Sequence, residues 1–444
     1  LVLDAIKKVG QEVLLKGWVN RRRDHGKIVF LDLRDRSGLL QLITSAPLSQ
    51  SPGVSEIKPE YVVEVVGLVA ARSEKTVNQE LLTGTVEVQV KEIKVLAKAE
   101  SLPFDMGGQE LNLELPTLLD YRALTLRHGK VEPIFKVQEV VIDAFREALK
   151  RRDFTEFQAP VLIPEIAEGG AEVFKVPYFG KEVYLSQSPQ LYKQILVGVY
   201  ERVFAVNKTL RAEPSMTTRH LTEATTLDAE FGFIDSWLDV KEMAQYTIKY
   251  MLSRVEKECS ETLKIFGATV PKVTDEIPMV KLREAQEIIY KRTGRDARNE
   301  PDLGPEDERE ICRWSLEEKG SDLVFVSHYP SRKRPFYTFL DPEDPEYTLS
   351  MDLIGRGTEW MTGGQRINDY DFLVKRAQER GTDPEKLELY LQAFKYGMPP
   401  EGGFSFGSER ITMHILGLNN VREASPFPRD MERVDFRLSK LQDK

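Results

Sequence analysis

RAEPSMTTRHLTEATTLDAEFGFI, residues 211–234, sets Arg211, Arg219 and His220 on a loop between two segments that alternate like strands. Ahead of it, ERVFAVNKTL carries apolar Val203, Phe204 and Val206. Behind it, Leu227, Ala229, Phe231 and Phe233 fall on one face, while Asp228 and Glu230 fall on the other. Such a hairpin holds guanidinium groups over a polar sheet face that also carries carboxylates. That arrangement suits a ligand with both phosphate and ammonium groups. The plainer alternative is a surface hairpin with solvated charge.

At 444 residues the chain is too long for one ordinary domain and predicts two or three. With 41% apolar and 30% charged residues it reads as a soluble globular protein, and no apolar run is long enough to span a bilayer. The opening LVLDAIKKVGQEV lacks the pattern of a secretory signal. Cys259 and Cys312 are too few for a disulfide scaffold or a thiolate cluster, so the expected compartment is a reducing cytoplasm. Five scattered histidines give no zinc motif. The formal net charge of −9 argues against a generally basic nucleic-acid binder, so a polyanion would be held by local patches.

Residues 1–100 read as all-β. GWVNRRRDHGKIVFLDLRDRSGLLQLI alternates, with turns at Asp24-His25-Gly26 and Arg36-Ser37-Gly38, and VVEVVGLVAA and GTVEVQVKEIKVL continue the pattern. About five short strands in this length suit a small closed barrel such as the OB-fold. Residues 101–125, with Pro103, Gly107, Gly108 and Pro116, look like a linker. From Val131 to Leu149 the period turns helical, with Ile134, Val137, Val141, Phe145 and Ala148 on one face. Pro160 then points to a sheet edge or an interface. Residues 236–320 are mostly helical and acidic and carry no evident site; Trp314 and Met251 there read as core. Strands return after 321 in DLVFVSHYP, RPFYTFL, YTLSMDLIGRG and TEWMTGG, and the chain closes with GGFSFG and a helical SERITMHILGL. The second domain is therefore expected to be α+β with an antiparallel sheet.

Several groups carry chemistry. With Gly355-Arg356 as a two-residue connection, Leu353 pairs with Thr358 and Asp352 sits directly opposite Glu359. Two carboxylates across a ladder repel, and a divalent cation removes that penalty; Mg²⁺ bound along with phosphates fits. The alternative is a carboxylate paired to Arg356 or Arg366. Arg410 lies in the first turn of the helix after the glycine-rich strand, where an anion is favoured. In QSPQLYKQ, Gln190 and Lys193 share a helical face behind a Ser188-Pro189 start. EGGAE, residues 168–172, reads equally as a lid or a turn.

The helix ending near Pro160, then RAE…TTRH…LDAEF, then GGFSFGSERI resembles the three signature motifs of class II aminoacyl-tRNA synthetases. With an N-terminal OB-fold the chain is similar to the aspartyl/asparaginyl/lysyl subgroup, and QSPQLYKQ, TGGQRI, FKYGMPPEGGF and FPRD are similar to its aspartyl members. It lacks the large domain that bacterial forms insert before the third motif. It resembles the compact archaeal/eukaryotic type, although GWVNRRRDHG is more like the bacterial barrel. The resemblance implies an OB-fold anticodon-binding domain over 1–100, a hinge over 101–125, and a class II catalytic domain over 126–444 with a helical insertion at 236–320.

The same resemblance implies an enzyme that makes aspartyl-adenylate from L-aspartate and ATP with Mg²⁺, then charges the 3′ end of tRNA(Asp), with tRNA(Asn) as an open second substrate. It also implies a homodimer with no membrane association. Arg211 would hold the α-phosphate and the substrate carboxylate. Glu213, Arg219, His220, Leu221, Gly407, Ser408, Glu409 and Arg410 would line the ATP site. Asp352 and Glu359, with Thr362 close by, would carry Mg²⁺. Ser188, Gln190 and Asp228 would hold the α-ammonium, with Glu168 closing over the substrate. Lys193 and Arg366 would read the side-chain carboxylate. In the barrel, Phe30 and Gln41 would meet anticodon bases, and Arg21, Arg22 and Arg23 phosphates. Ala224 stands where many members carry an aromatic residue over adenine, which leaves His220 or Arg410 to cover that ring. Asn20 stands where some members with strict anticodon choice have a bulky reader. Asparaginyl enzymes share this scaffold but typically lack the lysine of QSPQLYK, so Lys193 favours aspartate. An asparaginyl enzyme, or a catalytically silent paralogue, is the competing reading.

Overall fold

Glu12–Asp24 (β1), Ile28–Asp35 (β2), Gly38–Ser45 (β3), Val62–Ala71 (β4) and Val86–Ala97 (β5) close into a barrel in the order β1-β2-β3-β5-β4. The computed structural model describes residues 1–166, 172–214 and 217–440. These fall into two units, Leu1–Lys130 and Val131–Lys444. In the first, the period of two is visible in burial. Val13, Leu15 and Val19 of β1 point inward, as do Val29, Leu31 and Leu33 of β2. The register slips between Val19 and Arg21 of β1, a bulge at Asn20. The stretch read as a linker carries two helical turns, Leu115–Asp120 and Arg122–Thr125.

The second unit opens with the amphipathic helix Glu132–Lys150 (α1), whose Ile134, Val137, Val141, Phe145 and Ala148 are buried. It packs beside Trp237–Glu258 (α2), in which Met251 is fully buried. Behind them runs an eight-stranded sheet. Its strands are Thr155–Glu156 (β6), Arg202–Leu210 (β7), Glu223–Gly232 (β8), Met279–Lys281 (β9), Leu323–Ser327 (β10), Ser350–Gly355 (β11), Thr358–Arg366 (β12) and Glu401–Gly407 (β13). The order is β9-β10-β11-β12-β13-β8-β7-β6. Only the outer pairs, β9 with β10 and β6 with β7, are parallel. Short β6 ends the sheet, in keeping with Pro160 beyond it. Leu227, Ala229, Leu353, Met361, Phe404 and Phe406 turn one face of the sheet into the main core. The helix Ser408–Leu416 (α3) follows β13 directly. The segment RPFYTFL forms isolated bridges at Thr338 and Leu340 rather than the expected strand. No helix of the described residues is long and apolar enough to cross a membrane.

Candidate active site

The face of the sheet opposite the main core is polar, and the register explains how. Asp228 of β8 pairs with Ser405 of β13, Ser405 with Thr362 of β12, and Thr362 with Asp352 of β11. One row across four strands thus carries four polar residues. One step along the sheet, Glu230 pairs with Gly403, and Gly403 with Gly364. The glycines are needed here: a Cβ on Gly403 would lie 2.2 Å from Glu230 Oε2. The glycine-rich strand makes room for the protein's own carboxylate.

Glu230 is fully buried and organises its surroundings. Arg366 Nε donates to its Oε1 at 2.8 Å, and Lys193 Nζ lies 3.1 Å from its Oε2. Lys193 Nζ is also 3.4 Å from Asp228 Oδ1, and Gln190 Nε2 donates to Glu230 Oε2 at 3.3 Å. Lys193 and Gln190 reach this point from the helix Gln190–Tyr200, at whose start Ser188 Oγ accepts the Gln190 amide at 3.0 Å. Burial raises the Glu230 carboxyl, but the combined charge of Arg366 and Lys193 holds it below its ordinary value. Glu401 is the converse. Burial, then the charge of Glu230, pushes its carboxyl well up, and it accepts from Gln194 Nε2 at 2.9 Å. The ion-paired set is Lys193 and Arg366 against Asp228 and Glu230, and Asp228 Oδ2 is buried with no hydrogen-bond partner.

Gln190, Lys193, Asp228 and Arg366 wall a cleft of about 290 Å³ that also gathers Ser188, Arg211, Glu213, Thr362 and Arg334. Lys193 and Arg366 both line this cleft, and both are ion-paired to the buried Glu230 behind it. Arg211 is exposed at the cleft, and Glu213 lies 3.8 Å from His220 Nε2. Burial lowers the His220 ring's proton affinity. Leu221 packs against the main core. Gly407 caps α3, and the buried Glu409 carboxylate accepts the Thr225 amide and the Ser408 hydroxyl, tying α3 to β8. Glu168 lies outside the described residues.

The expected pairing of Asp352 with Glu359 is corrected. The turn is Arg356-Gly357, both at positive φ (49° and 83°), so Gly355 pairs with Thr358 and Ile354 with Glu359. Trp360 is then bulged out of register, Leu353 pairs with Met361 and Asp352 with Thr362. The bulge has a use. It returns Glu359 and Thr362, which strict alternation would split, to the Asp352 face. Burial, then the Asp352 charge, raises the Glu359 carboxyl, so the two acids still repel. Asp352 Oδ2 accepts from Arg334 Nη2 at 2.8 Å, and Arg334 Nη1 donates to Thr362 Oγ1 at 3.1 Å. Asp352 Oδ1 is buried without a partner. An orphaned carboxylate oxygen beside a second, raised carboxyl fits a hard divalent ion with few protein donors. Among the described residues no group of three or more His, Cys, Asp or Glu forms a ready metal cage.

Arg410 Nη1 donates to the Glu359 carbonyl at 2.7 Å. Arg219 Nη2 donates to the Gly357 carbonyl at 2.9 Å, and its Nη1 pairs with Glu308. Sequence reasoning missed Glu308, Arg334 and the role of Glu230. Only Glu230 gave a signal, as a second acid on the face of Asp228. In the barrel, Phe30 is half-buried and edge-on to His25, with centroids 5.6 Å apart. Gln41 is buried, accepting from Arg23 Nη2 at 3.2 Å and donating to Glu87 at 3.1 Å. Arg22 pairs with Asp24, and Arg21 is exposed.

Residues 114–431 match the model of class II tRNA synthetases (D, K and N), and residues 13–96 that of an OB-fold nucleic acid binding domain. The aspartate–tRNA(Asp/Asn) ligase of Thermus thermophilus is 42% identical, covering 98% of this chain and 99% of its own length. The aspartate–tRNA(Asp) ligase of Pyrococcus abyssi is 36% identical, with 96% of each covered. Among solved structures, the asparaginyl-tRNA synthetase of Pyrococcus horikoshii with asparaginyl-adenylate superposes with a TM-score of 0.86 at 31% identity, covering 96% of this chain and 97% of that one.

Proposed function

The chain belongs to the class II tRNA synthetases of the D, K and N group, and from that premise we propose that it is an aspartate–tRNA ligase that activates L-aspartate with ATP and transfers it to the 3′ end of tRNA. The observation that carries the choice of amino acid is the convergence of Lys193 and Arg366 on the open cleft with Glu230 between them. If Asp228 takes the substrate ammonium, Lys193 and Arg366 exceed Glu230 by one positive charge. The side-chain carboxylate of aspartate supplies the missing negative charge; the neutral amide of asparagine does not, at a cost of several kcal/mol in a buried site.

In the first step a carboxylate oxygen of aspartate attacks the α-phosphorus of ATP and pyrophosphate leaves. The nucleophile is already ionised, so no general base is required. Arg211, exposed on the cleft wall, stabilises charge growing on the phosphate oxygens, and Arg410 and Arg219 bind the other phosphates. Asp352, Glu359 and Thr362 would hold Mg²⁺, which when bound offsets phosphate charge. In the second step a hydroxyl at the tRNA 3′ end attacks the adenylate carbonyl and AMP leaves. Phe30 and Gln41 bind the anticodon by stacking and hydrogen bonding. The tRNA partners are tRNA(Asp) and, as supported by the name of the Thermus relative, tRNA(Asn). The working form is a cytoplasmic homodimer.

Charging of separate aspartate and asparagine tRNA transcripts with labelled aspartate, with pyrophosphate exchange run on each amino acid, tests the reading. Exchange with aspartate alone is expected. Exchange with asparagine but not aspartate would make the chain an asparaginyl enzyme, and no exchange with either would make it a silent paralogue.

A further inference from the structure

The helix Pro305–Trp314 lies in the acidic segment that gave no site by sequence, yet its Glu308 reaches the nucleotide residues. The Glu308 side chain is 13% exposed. One oxygen pairs with Arg219 Nη1, and the other accepts the Glu359 backbone amide at 3.3 Å. Arg219 also donates to the Gly357 carbonyl, two residues before Glu359. Arg219 and Glu308 thus form a bracket across the bulge that presents Glu359. Both terminal nitrogens of the Arg219 guanidinium are engaged with the protein itself.

We propose that Glu308 is an anionic placeholder: it stores Arg219 in the nucleotide-free site and fixes the Glu359 backbone, and the triphosphate displaces it from Arg219. This rests on the adenylate-forming reading. Arg219 is a cation with no phosphate in the free protein, and the acid opposite it keeps it from being stranded in a half-buried position. The phosphates arriving must replace that acid, and they approach a site already carrying Glu308, Glu359 and Asp352. The acid therefore opposes nucleotide binding, while its second oxygen serves the metal-binding bulge. The two roles separate chemically. Glutamine retains an oxygen for the Glu359 amide but not the charge for Arg219; alanine retains neither.

Calorimetric titration of the full chain with ATP and Mg²⁺, without aspartate, reads the first role. Glu308→Gln is expected to tighten ATP by roughly threefold to tenfold, with the KM for aspartate unchanged and kcat within about twofold of native. Glu308→Asp, which keeps the charge, should bind ATP more weakly than Glu308→Gln. Glu308→Ala should lower kcat where Glu308→Gln does not. Native or weaker ATP binding by Glu308→Gln overturns the placeholder role, as does an equal fall of kcat in Glu308→Gln and Glu308→Ala. Loss of aspartate-dependent exchange in the native protein would instead reject the parent reading, and leaves the calorimetric comparison intact.

Discussion

Arg366 Nε lies 2.8 Å from Glu230 Oε1, and this one ion pair determines how much positive charge faces the cleft. Glu230 takes part of the charge of both Arg366 and Lys193, so neither cation acts alone. Removing either leaves Glu230 buried and under-compensated. Lys193→Met is therefore expected to lower kcat/KM for aspartate in pyrophosphate exchange by at least about 100-fold, with a lowered melting temperature, the cost of breaking a buried pair being about 3–5 kcal/mol. Glu230→Gln should lower the melting temperature, because it takes the carboxylate partner from Arg366 and leaves Lys193 with Asp228 alone. Native exchange kinetics in Lys193→Met would reject the assignment of the aspartate pocket.

Arg211 and Arg410 differ in what they touch, and the difference is measurable. Arg211 is exposed on the cleft wall, whereas Arg410 is anchored on the Glu359 carbonyl at 2.7 Å. Arg211→Ala should reduce the single-turnover rate of adenylate formation by about 10²–10³, the usual worth of one preorganised charge at a developing oxyanion. Arg410→Ala should also abolish exchange, and in addition raise the Mg²⁺ concentration needed for half-maximal rate in any residual activity, because it releases the Glu359 backbone.

Metal removal should stop the chemistry without unfolding the protein. Asp352 already has Arg334 as its partner and needs no ion for its charge to be balanced. Chelation is therefore expected to abolish pyrophosphate exchange while leaving the melting temperature within error of the untreated protein. A large fall in melting temperature on chelation would show that an ion, not Arg334, holds that carboxylate in the folded state.

His414 gives a pH signature. It lies in α3, tilted over Trp360 with centroids 6.0 Å apart, and its Nε2 is buried without a partner. Burial first, then the charges of Arg410, Arg219 and Arg356, lower its ring from 6.5 to about 4. Between those values the unfolded chain binds a proton that the folded chain refuses, so stability falls as pH falls through the window and is fully present above 6.5. The full loss is of the order of 3 kcal/mol at the acid end. Denaturant melts at several pH values should show this slope, and His414→Gln should flatten it.

Much of the site was legible because strand alternation is local. Asp228 and Glu230 could be read onto one face of β8 from spacing alone, and Gln190 and Lys193 onto one face of a helix. What escaped reading was set by pairing between distant segments. The bulge at Trp360 breaks a period of two that sequence reasoning assumes to be unbroken. The turn could have been placed by asking which residue tolerates φ of 83°, since Gly357, not Gly355, occupies the second turn position. Arg334 sits in SRKRPF and Glu308 in PEDERE, and both look like solvated charge until tertiary structure supplies Asp352 and Arg219 as partners. RPFYTFL has strand composition, yet it pairs only through isolated bridges because β11 and β12 already satisfy each other.

The barrel offers a test that leaves the adenylate chemistry untouched. Phe30 belongs to the Leu1–Lys130 unit, and all the residues assigned to aspartate and ATP belong to the other. Phe30 is half-buried, with its ring T-shaped to that of His25. Gln41 is held between Arg23 and Glu87, and a base reading it would exchange one of those bonds rather than fill an empty position. Stacking on an aromatic ring is worth about 1–3 kcal/mol per base, so Phe30→Ala should lower kcat/KM for tRNA charging by roughly 5- to 100-fold. Gln41→Ala should cost less, since Arg23 keeps its Asp32 partner at 2.8 Å and the local framework survives. Pyrophosphate exchange without tRNA should be native in both variants. A matching loss in exchange would mean that these residues stabilise the protein and do not read the anticodon.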